Sequence, residues 1–127
     1  MATEHDAPRI VQVGSGKTEP YGWGEIEWLA NKDLMPGSEM TLGQVRLGPG
    51  RSNPRHIHPN CHELLLVLSG CIEHDLGVST VELKKGSLLH IPVGVPHQAR
   101  NKGKTDCLMI VTYSTEDRET VFVEENQ

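Results

Sequence analysis

The sequence is poor in long apolar runs, aromatic side chains and basic clusters, and these shortages exclude several classes of protein. Its longest apolar run falls far below the roughly 18 residues that a membrane-spanning helix needs. Its formal net charge is −5, and no basic cluster is longer than the Lys84-Lys85 pair. A nucleic-acid surface would need concentrated positive charge. We therefore expect neither a membrane nor a nucleic acid as a partner.

Cysteine is also scarce, and its spacing points to no disulfide framework. The three residues, Cys61, Cys71 and Cys107, form no C-x-x-C pair and leave one cysteine over in any pairing. The first ten residues, MATEHDAPRI, lack the apolar centre of a signal peptide. We therefore predict free thiols and a cytoplasmic location.

Glycine and proline, by contrast, are plentiful and scattered, with 13 and 8 copies among 127 residues. This pattern is typical of many short strands joined by turns, so we predict an all-β fold. We interpret residues 1–127 as one domain with loose tails at about 1–8 and 124–127. Alternating segments predict close to ten strands, of which Arg9–Val13 is the first and Cys71–Leu76 one of the middle ones.

The stretch from residue 50 to residue 70 concentrates side chains that bind metals. His56 and His58 are two apart, so both point to the same face of an extended chain. The Pro59-Asn60 bend allows Glu63 to return to that face. Two imidazoles and a carboxylate that converge on one point form a site for a first-row transition metal rather than for calcium or magnesium.

A second stretch, residues 86–101, contains the rigid bend Pro92-Val93-Gly94-Val95-Pro96 immediately before His97. Such a bend can hold an imidazole within the tolerance that a metal requires. His90 alternates with apolar neighbours and is a candidate acid/base group of the pocket, although a packed strand histidine is an equal alternative. We expect His74 and Arg46 at the surface, and Arg46 would imply an anionic substrate if it faced the site instead.

The strand that follows Glu63 is apolar on both faces. If Glu63 points inward, Leu65 and Val67 do so too, whereas Leu64, Leu66 and Leu68 point outward. A strand that is apolar on both faces is covered on both faces. In so short a chain a second copy would supply the outer cover, and we predict a homodimer.

Together these two stretches match the frames GX5HXHX4EX6G and GX5PXGXXHX3N at every position, with 15 residues between Gly70 and Gly86. This arrangement resembles the two motifs of the cupin superfamily. The resemblance implies a double-stranded β-helix, or jelly-roll barrel, with a metal inside its mouth. It also implies four metal ligands, namely His56, His58, Glu63 and His97.

The resemblance implies chemistry at one divalent ion of iron, manganese, nickel, zinc or copper, acting on a small molecule. The favoured hypothesis is a mononuclear metal-dependent enzyme of dioxygenase, isomerase or lyase type with an oxygen-rich substrate. The alternatives are a cupin that binds or senses a small ligand without turnover, and a metal that is chiefly structural. Fold alone does not choose among them.

Overall fold

The computed structural model describes residues 7–125, and every regular element in this range is a β-strand. The eleven strands are β1 (Lys17–Tyr21), β2 (Gly24–Ala30), β3 (Thr41–Leu47), β4 (His56–Ile57), β5 (Glu63–Ser69), β6 (Cys71–Leu76), β7 (Ser79–Lys84), β8 (Leu88–Ile91), β9 (His97–Arg100), β10 (Cys107–Tyr113) and β11 (Val121–Phe122). No helix in this range is long and apolar enough to span a bilayer. The predicted tails lie mostly outside the described residues.

The strands form two antiparallel sheets, as a jelly-roll barrel requires. The larger sheet has the order β1-β2-β3-β10-β5-β8, and the smaller one has the order β11-β4-β9-β6-β7. Consecutive strands β5 and β6 lie in different sheets, so the chain crosses between the layers at Gly70. Gly70 has φ +83°, and a Cβ there would lie 3.1 Å from the carbonyl oxygen of Asp106. The predicted all-β barrel is confirmed.

Strict alternation of side chains builds the core between the sheets. Every second residue of β3 and β10 is buried, and strand β5 buries Glu63, Leu65 and Val67. Leu64 and Leu68 point outward and are exposed. The inward phase predicted for Glu63 is therefore confirmed, and this phase brings a carboxylate into the barrel.

The predicted first strand, Arg9–Val13, is wrong. Ile10 and Val13 are exposed, and this segment pairs with no neighbour among the described strands. The Glu27 carboxylate accepts hydrogen bonds from the backbone N–H groups of Gly14 and Gly16, which ties the turn after this segment to β2. The chain begins its pairing later, at β1, where Lys17 lies opposite Trp28. Alternation is a local pattern, and it does not show whether a segment has a neighbouring strand with which to pair.

The two metal-binding motifs are joined by backbone hydrogen bonds. In the short pairing of β4 with β9, His56 lies directly opposite His97. The N–H of Gly94 donates to the carbonyl oxygen of His58 at 3.0 Å. Gly94 has φ +75°, a left-handed conformation that glycine adopts without strain, so the bend before His97 can close onto the first motif.

Candidate metal centre

Three imidazoles of the smaller sheet converge inside the barrel. His56 lies in β4, His58 follows it by two positions, and His97 begins β9. Their ring centroids are 4.1 to 5.1 Å apart. One nitrogen from each ring lies within 4.8 Å of the others, a separation at which one ion could contact all three. The structure thus brings together the three histidines that the motifs single out.

Glu63 approaches this cluster from the opposite sheet. Its Oε1 atom lies 3.3 Å from Nε2 of His58 and 3.2 Å from Nε2 of His97. The three side chains are almost completely buried. Glu63 therefore contacts two of the three histidines, and the group of possible ligand atoms that lie within 4.8 Å of one another comprises the three histidine nitrogens.

The other nitrogen of each ring is held by the backbone. The Nδ1 atoms of His56, His58 and His97 lie 2.8 to 3.0 Å from the carbonyl oxygens of Pro54, Glu119 and Val95. A carbonyl oxygen can only accept, so each Nδ1 carries a proton, and a ring with this one proton presents the Nε2 lone pair to the centre. Such backbone bonds orient the imidazoles that bind metals.

The atoms at the centre lack hydrogen-bond partners. Among the residues that the structure describes, Nε2 of His58, Nε2 of His97 and Oε1 of Glu63 are buried and unsatisfied. Unless a ring carries a second proton on Nε2, the short contacts between these atoms join lone pairs to a carboxylate. Buried polar groups in this state are costly unless a further partner satisfies them. A divalent transition metal fits this donor set and would satisfy all three atoms.

The protonation states also suit a cation. Burial, together with the neighbouring His97 ring, lowers the pKa of His56 to about 3. Burial raises the pKa of Glu63, but hydrogen bonds from the His58 and His97 rings, which require a proton on Nε2, outweigh it and lower that pKa to about 2. At neutral pH the centre therefore holds a neutral imidazole at His56 and a carboxylate at Glu63, the forms in which these groups bind metals.

The centre opens into a cavity of about 130 Å³ between the sheets. Much of its wall is apolar. The apolar lining residues include Ile26, Val45, Leu47, Leu65, Met109 and Val111. The polar groups that line the same space beyond the four motif residues include Arg118 and His74.

His74 is a residue of this cavity that sequence reasoning missed. The predicted surface position is wrong, because its side chain is only 1% exposed and its ring stacks parallel to His97 with centroids 6.0 Å apart. Nδ1 of His74 is buried without a partner in the described part of the chain. Burial lowers its pKa to about 4, so the ring is neutral. Alternation with the buried Ile72 was the signal that could have placed it inside.

His90 does not line the cavity. Its neighbours on either side, Leu89 and Ile91, point inward, so His90 lies on the outer face of β8. Its Nε2 atom is 3.0 Å from Nδ1 of the exposed His62. The expectation of an acid/base histidine in the pocket is therefore not met at His90. The alternative of a packed strand histidine is not met either, because His90 is exposed and pairs with the exposed His62.

The remaining side chains take structural positions, namely Arg46, the two tryptophans and Cys61. Arg46 lies on the outer face, where its Nε donates to Glu25 at 2.9 Å. Trp28 is buried in the core, whereas Trp23 is half-buried beside the cavity. Cys61 is buried, and burial raises the pKa of its thiol. The predicted outward orientation of Arg46 is confirmed.

Comparisons with known proteins agree with this geometry. Residues 43–113 match the family model described as the cupin domain. The chain is 27% identical over 103 residues to the polyketide synthase CurC of Streptomyces cyaneus, covering 81% of this chain and 67% of the relative. It is 30% identical over 104 residues to a germin-like protein of Arabidopsis thaliana, subfamily 2 member 1, covering 74% of this chain and 47% of the relative. It is 28% identical over 92 residues to oxalate oxidase 1 of Hordeum vulgare, covering 66% and 46%. The chain spans less than half the length of the last two relatives.

Solved structures reproduce the fold. The oxalate decarboxylase of Lactobacillus farciminis superposes with a TM-score of 0.79 at 16% identity, covering 87% of this chain and 34% of that one. An oxalate oxidase superposes with a TM-score of 0.72 at 23% identity, covering 97% and 60%. At these identities the likeness concerns the fold. Because the family model spans more than half of the sequence, the chain belongs to the cupin family.

Proposed function

We propose that this protein binds one divalent first-row transition metal ion through His56, His58, Glu63 and His97. The observation that carries the proposal is that Nε2 of His58, Nε2 of His97 and Oε1 of Glu63 lie together, buried and without hydrogen-bond partners among residues 7–125, while backbone carbonyls hold Nδ1 of His56, His58 and His97. Three imidazoles and one carboxylate leave net charge near +1 on a divalent ion and about two open positions of an octahedron. A bound ion would supply Lewis acidity or redox chemistry at a substrate oxygen.

We further propose that the protein is a metal-dependent enzyme acting on a small oxygen-bearing molecule, of dioxygenase, isomerase or lyase type. The relatives of this chain include an oxalate oxidase, which supports an enzyme. The residues that line the cavity would bind the molecule, and the apolar wall would exclude water from the bound molecule. The neutral His74 offers a hydrogen-bonding nitrogen within the cavity.

A second candidate function is ligand binding without turnover. The apolar wall of the cavity favours this function. The position of His90 also favours it, because this candidate acid/base histidine lies on the outer face rather than in the pocket. The two functions share the metal centre and differ in whether a bound molecule is converted. Product analysis after incubation with the metal-loaded protein separates them.

Elemental analysis tests the metal proposal. Protein purified without added metal should contain close to one equivalent of a transition metal, or take up one equivalent of Mn²⁺, Fe²⁺ or Co²⁺ on dialysis. Failure to bind any of these ions would overturn the proposal. Oxygen consumption with oxalate, diketones, catechols and sugar acids then tests for turnover. An unchanged melting temperature after chelation would exclude a chiefly structural metal.

We also propose a homodimer and a cytoplasmic location. The outer face of the larger sheet supports the dimer: Leu66 lies opposite Ile110 on one side and Leu88 on the other, and Leu88 is 62% exposed. A second copy of this face would cover these side chains. The three cysteines are free thiols, which supports a reducing compartment.

A further inference from the structure

Arg118 is a cation in the wall of the cavity that holds the metal centre. Its guanidinium carbon lies 4.4 Å from the ring centroid of Trp28 and 5.3 Å from that of Tyr113. The Tyr113 ring in turn packs edge-on against His58 with centroids 5.0 Å apart. Stacking on two rings fixes the plane of the guanidinium, so its donors are held in a defined direction.

This arginine has no acidic partner among residues 7–125. Two of the three carboxylates nearest it in sequence are used elsewhere: Glu116 accepts hydrogen bonds from the backbone N–H groups of Gly37 and Glu39, and Asp117 pairs with Lys32 at 3.2 Å. The guanidinium donates to the Thr120 hydroxyl at 3.2 Å and lies close enough to the Tyr113 hydroxyl to donate to it as well, whereas its buried Nε has no hydrogen-bond partner within the described chain. An unsatisfied guanidinium that lines a cavity is suited to bind an anion.

The size and wall of the cavity define the rest of the ligand. A volume of about 130 Å³ is close to the roughly 150 Å³ of an apolar protein cavity that holds one benzene molecule. Apolar side chains of both sheets surround this space and would contact the body of a ligand. A ligand made only of charged oxygens would leave these side chains without apolar contacts.

We infer that Arg118 binds the anionic group of the ligand, and that this ligand is a ring-sized, largely apolar molecule with one carboxylate. The identification of the ligand as the substrate rests on the proposed function, whereas the anion site rests on Arg118 and the cavity alone. The carboxylate would take the free guanidinium donors, and the ring would fill the apolar space. The metal centre in the same cavity would then face the bound molecule.

Benzoate is the probe for this inference, and benzamide and acetate are its controls. Benzamide keeps the ring and loses the charge, whereas acetate keeps the charge and loses the ring. Isothermal titration of the full-length protein, with Mn²⁺ and after chelation, should show benzoate binding at least about 10-fold tighter than either control, because a charge-assisted hydrogen bond and a buried ring each contribute that much. Equal affinity for benzoate and benzamide would overturn the inference without any variant.

Substitution then tests the residue. Arg118→Gln should weaken benzoate binding about 10-fold or more and leave benzamide binding within a factor of about two, a split that a purely structural role would not produce. Arg118→Lys keeps the charge and should retain part of the preference for benzoate, which keeps the test open if the glutamine variant does not fold. Arg46→Gln, which removes an arginine from the outer face, is the matched control and should bind benzoate like the wild type. Loss of benzamide and benzoate binding together in a folded Arg118→Gln would contradict the inference.

The outcomes separate this inference from the proposed function. Benzoate binding that needs Arg118 in a protein that takes up no metal would support the anion site and overturn the metal centre. Benzoate binding that needs the metal but is unchanged in Arg118→Gln would overturn the anion site and leave the metal centre standing.

Discussion

The Oε1 atom of Glu63 lies 3.2 Å from Nε2 of His97, although the two residues begin strands of different sheets. The carboxylate enters from β5 of the larger sheet and the imidazole from β9 of the smaller one. Neither atom has a hydrogen-bond partner in the range 7–125. An ion that contacted both atoms would therefore link the two sheets of the barrel at this point.

Removing His97 should release the metal. We expect His97→Ala to lower metal affinity at least about 10-fold, because even partners of a metal ligand cost about 10- to 100-fold when removed. His90→Ala is the matched control, since His90 lies on the outer face and should leave metal content unchanged. Elemental analysis after dialysis against equal free metal measures both. Equal metal content in the two variants would refute the assignment of His97.

Glu63→Gln should have opposite effects on the two states of the protein. The neutral amide is a poorer ligand, so metal affinity should fall about 10-fold or more. Without metal, however, the amide can donate to the unsatisfied Nε2 atoms of His58 and His97, so the variant should be more stable than the wild type by about 1 kcal/mol.

Thermal unfolding in the presence of a chelator measures this effect. A Glu63→Gln protein that is less stable than the wild type without metal would mean that the two rings already donate protons to Glu63. In that case the unsatisfied atoms described above would no longer argue for a cation.

Charges on the outer face of the larger sheet should separate the dimer. The double variant Leu64→Asp, Leu88→Asp places two carboxylates on this face, where both side chains are exposed in the single chain. We expect a dimer for the wild type and a monomer for the variant by size-exclusion chromatography with light scattering. Val78→Asp, at the fully exposed β6–β7 turn, is the control. A wild-type monomer at micromolar concentration would count against the dimer.

Acid should weaken the fold through Asp75. Two hydrogen bonds from Arg100, at 2.6 and 2.7 Å, hold the pKa of this buried carboxyl well below its usual range. A lowered pKa in the folded state stabilises the protein above the ordinary aspartate pKa of about 3.9, and this stability is lost as the pH falls below it.

The variant Asp75→Asn should be less stable than the wild type by about 2 kcal/mol at pH 7, because it leaves the charged Arg100 with a weaker partner. This difference should shrink as the pH falls from about 4 to 2. Denaturant unfolding of chelated protein across this range is the measurement, with the exposed Asp33→Asn as the control. A difference that does not depend on pH would contradict the assigned role.

Motif spacing predicted the barrel and the converging residues because these depend on short-range geometry. The two-residue interval of His56 and His58, the bend before Glu63 and the rigid segment before His97 each constrain a local direction. Alternation then fixed the phase of β5 correctly from the inward position of Glu63. These features require no knowledge of which strands are neighbours.

Features that depend on the packing of distant strands were not predictable in this way. Alternation could have placed His74 inside the barrel, but its stacking on His97 follows from the pairing of β6 with β9, a contact between sequence-distant residues. Arg118 lies in an irregular segment, and its place on Trp28 follows only from the closure of the barrel. Arg9–Val13 has the alternation of a strand but lacks a neighbour.

The pairing of His56 with His97 also has a kinetic consequence. A centre whose donors come from both sheets does not exist until β4 and β9 have met and β5 has closed over them, so no partly folded chain can hold the ion as the native barrel does. Interactions formed after the rate-limiting step of folding slow unfolding and leave the folding rate unchanged. If the centre is completed only after the rate-limiting step of folding, its occupancy should lengthen the lifetime of the folded protein rather than speed its formation.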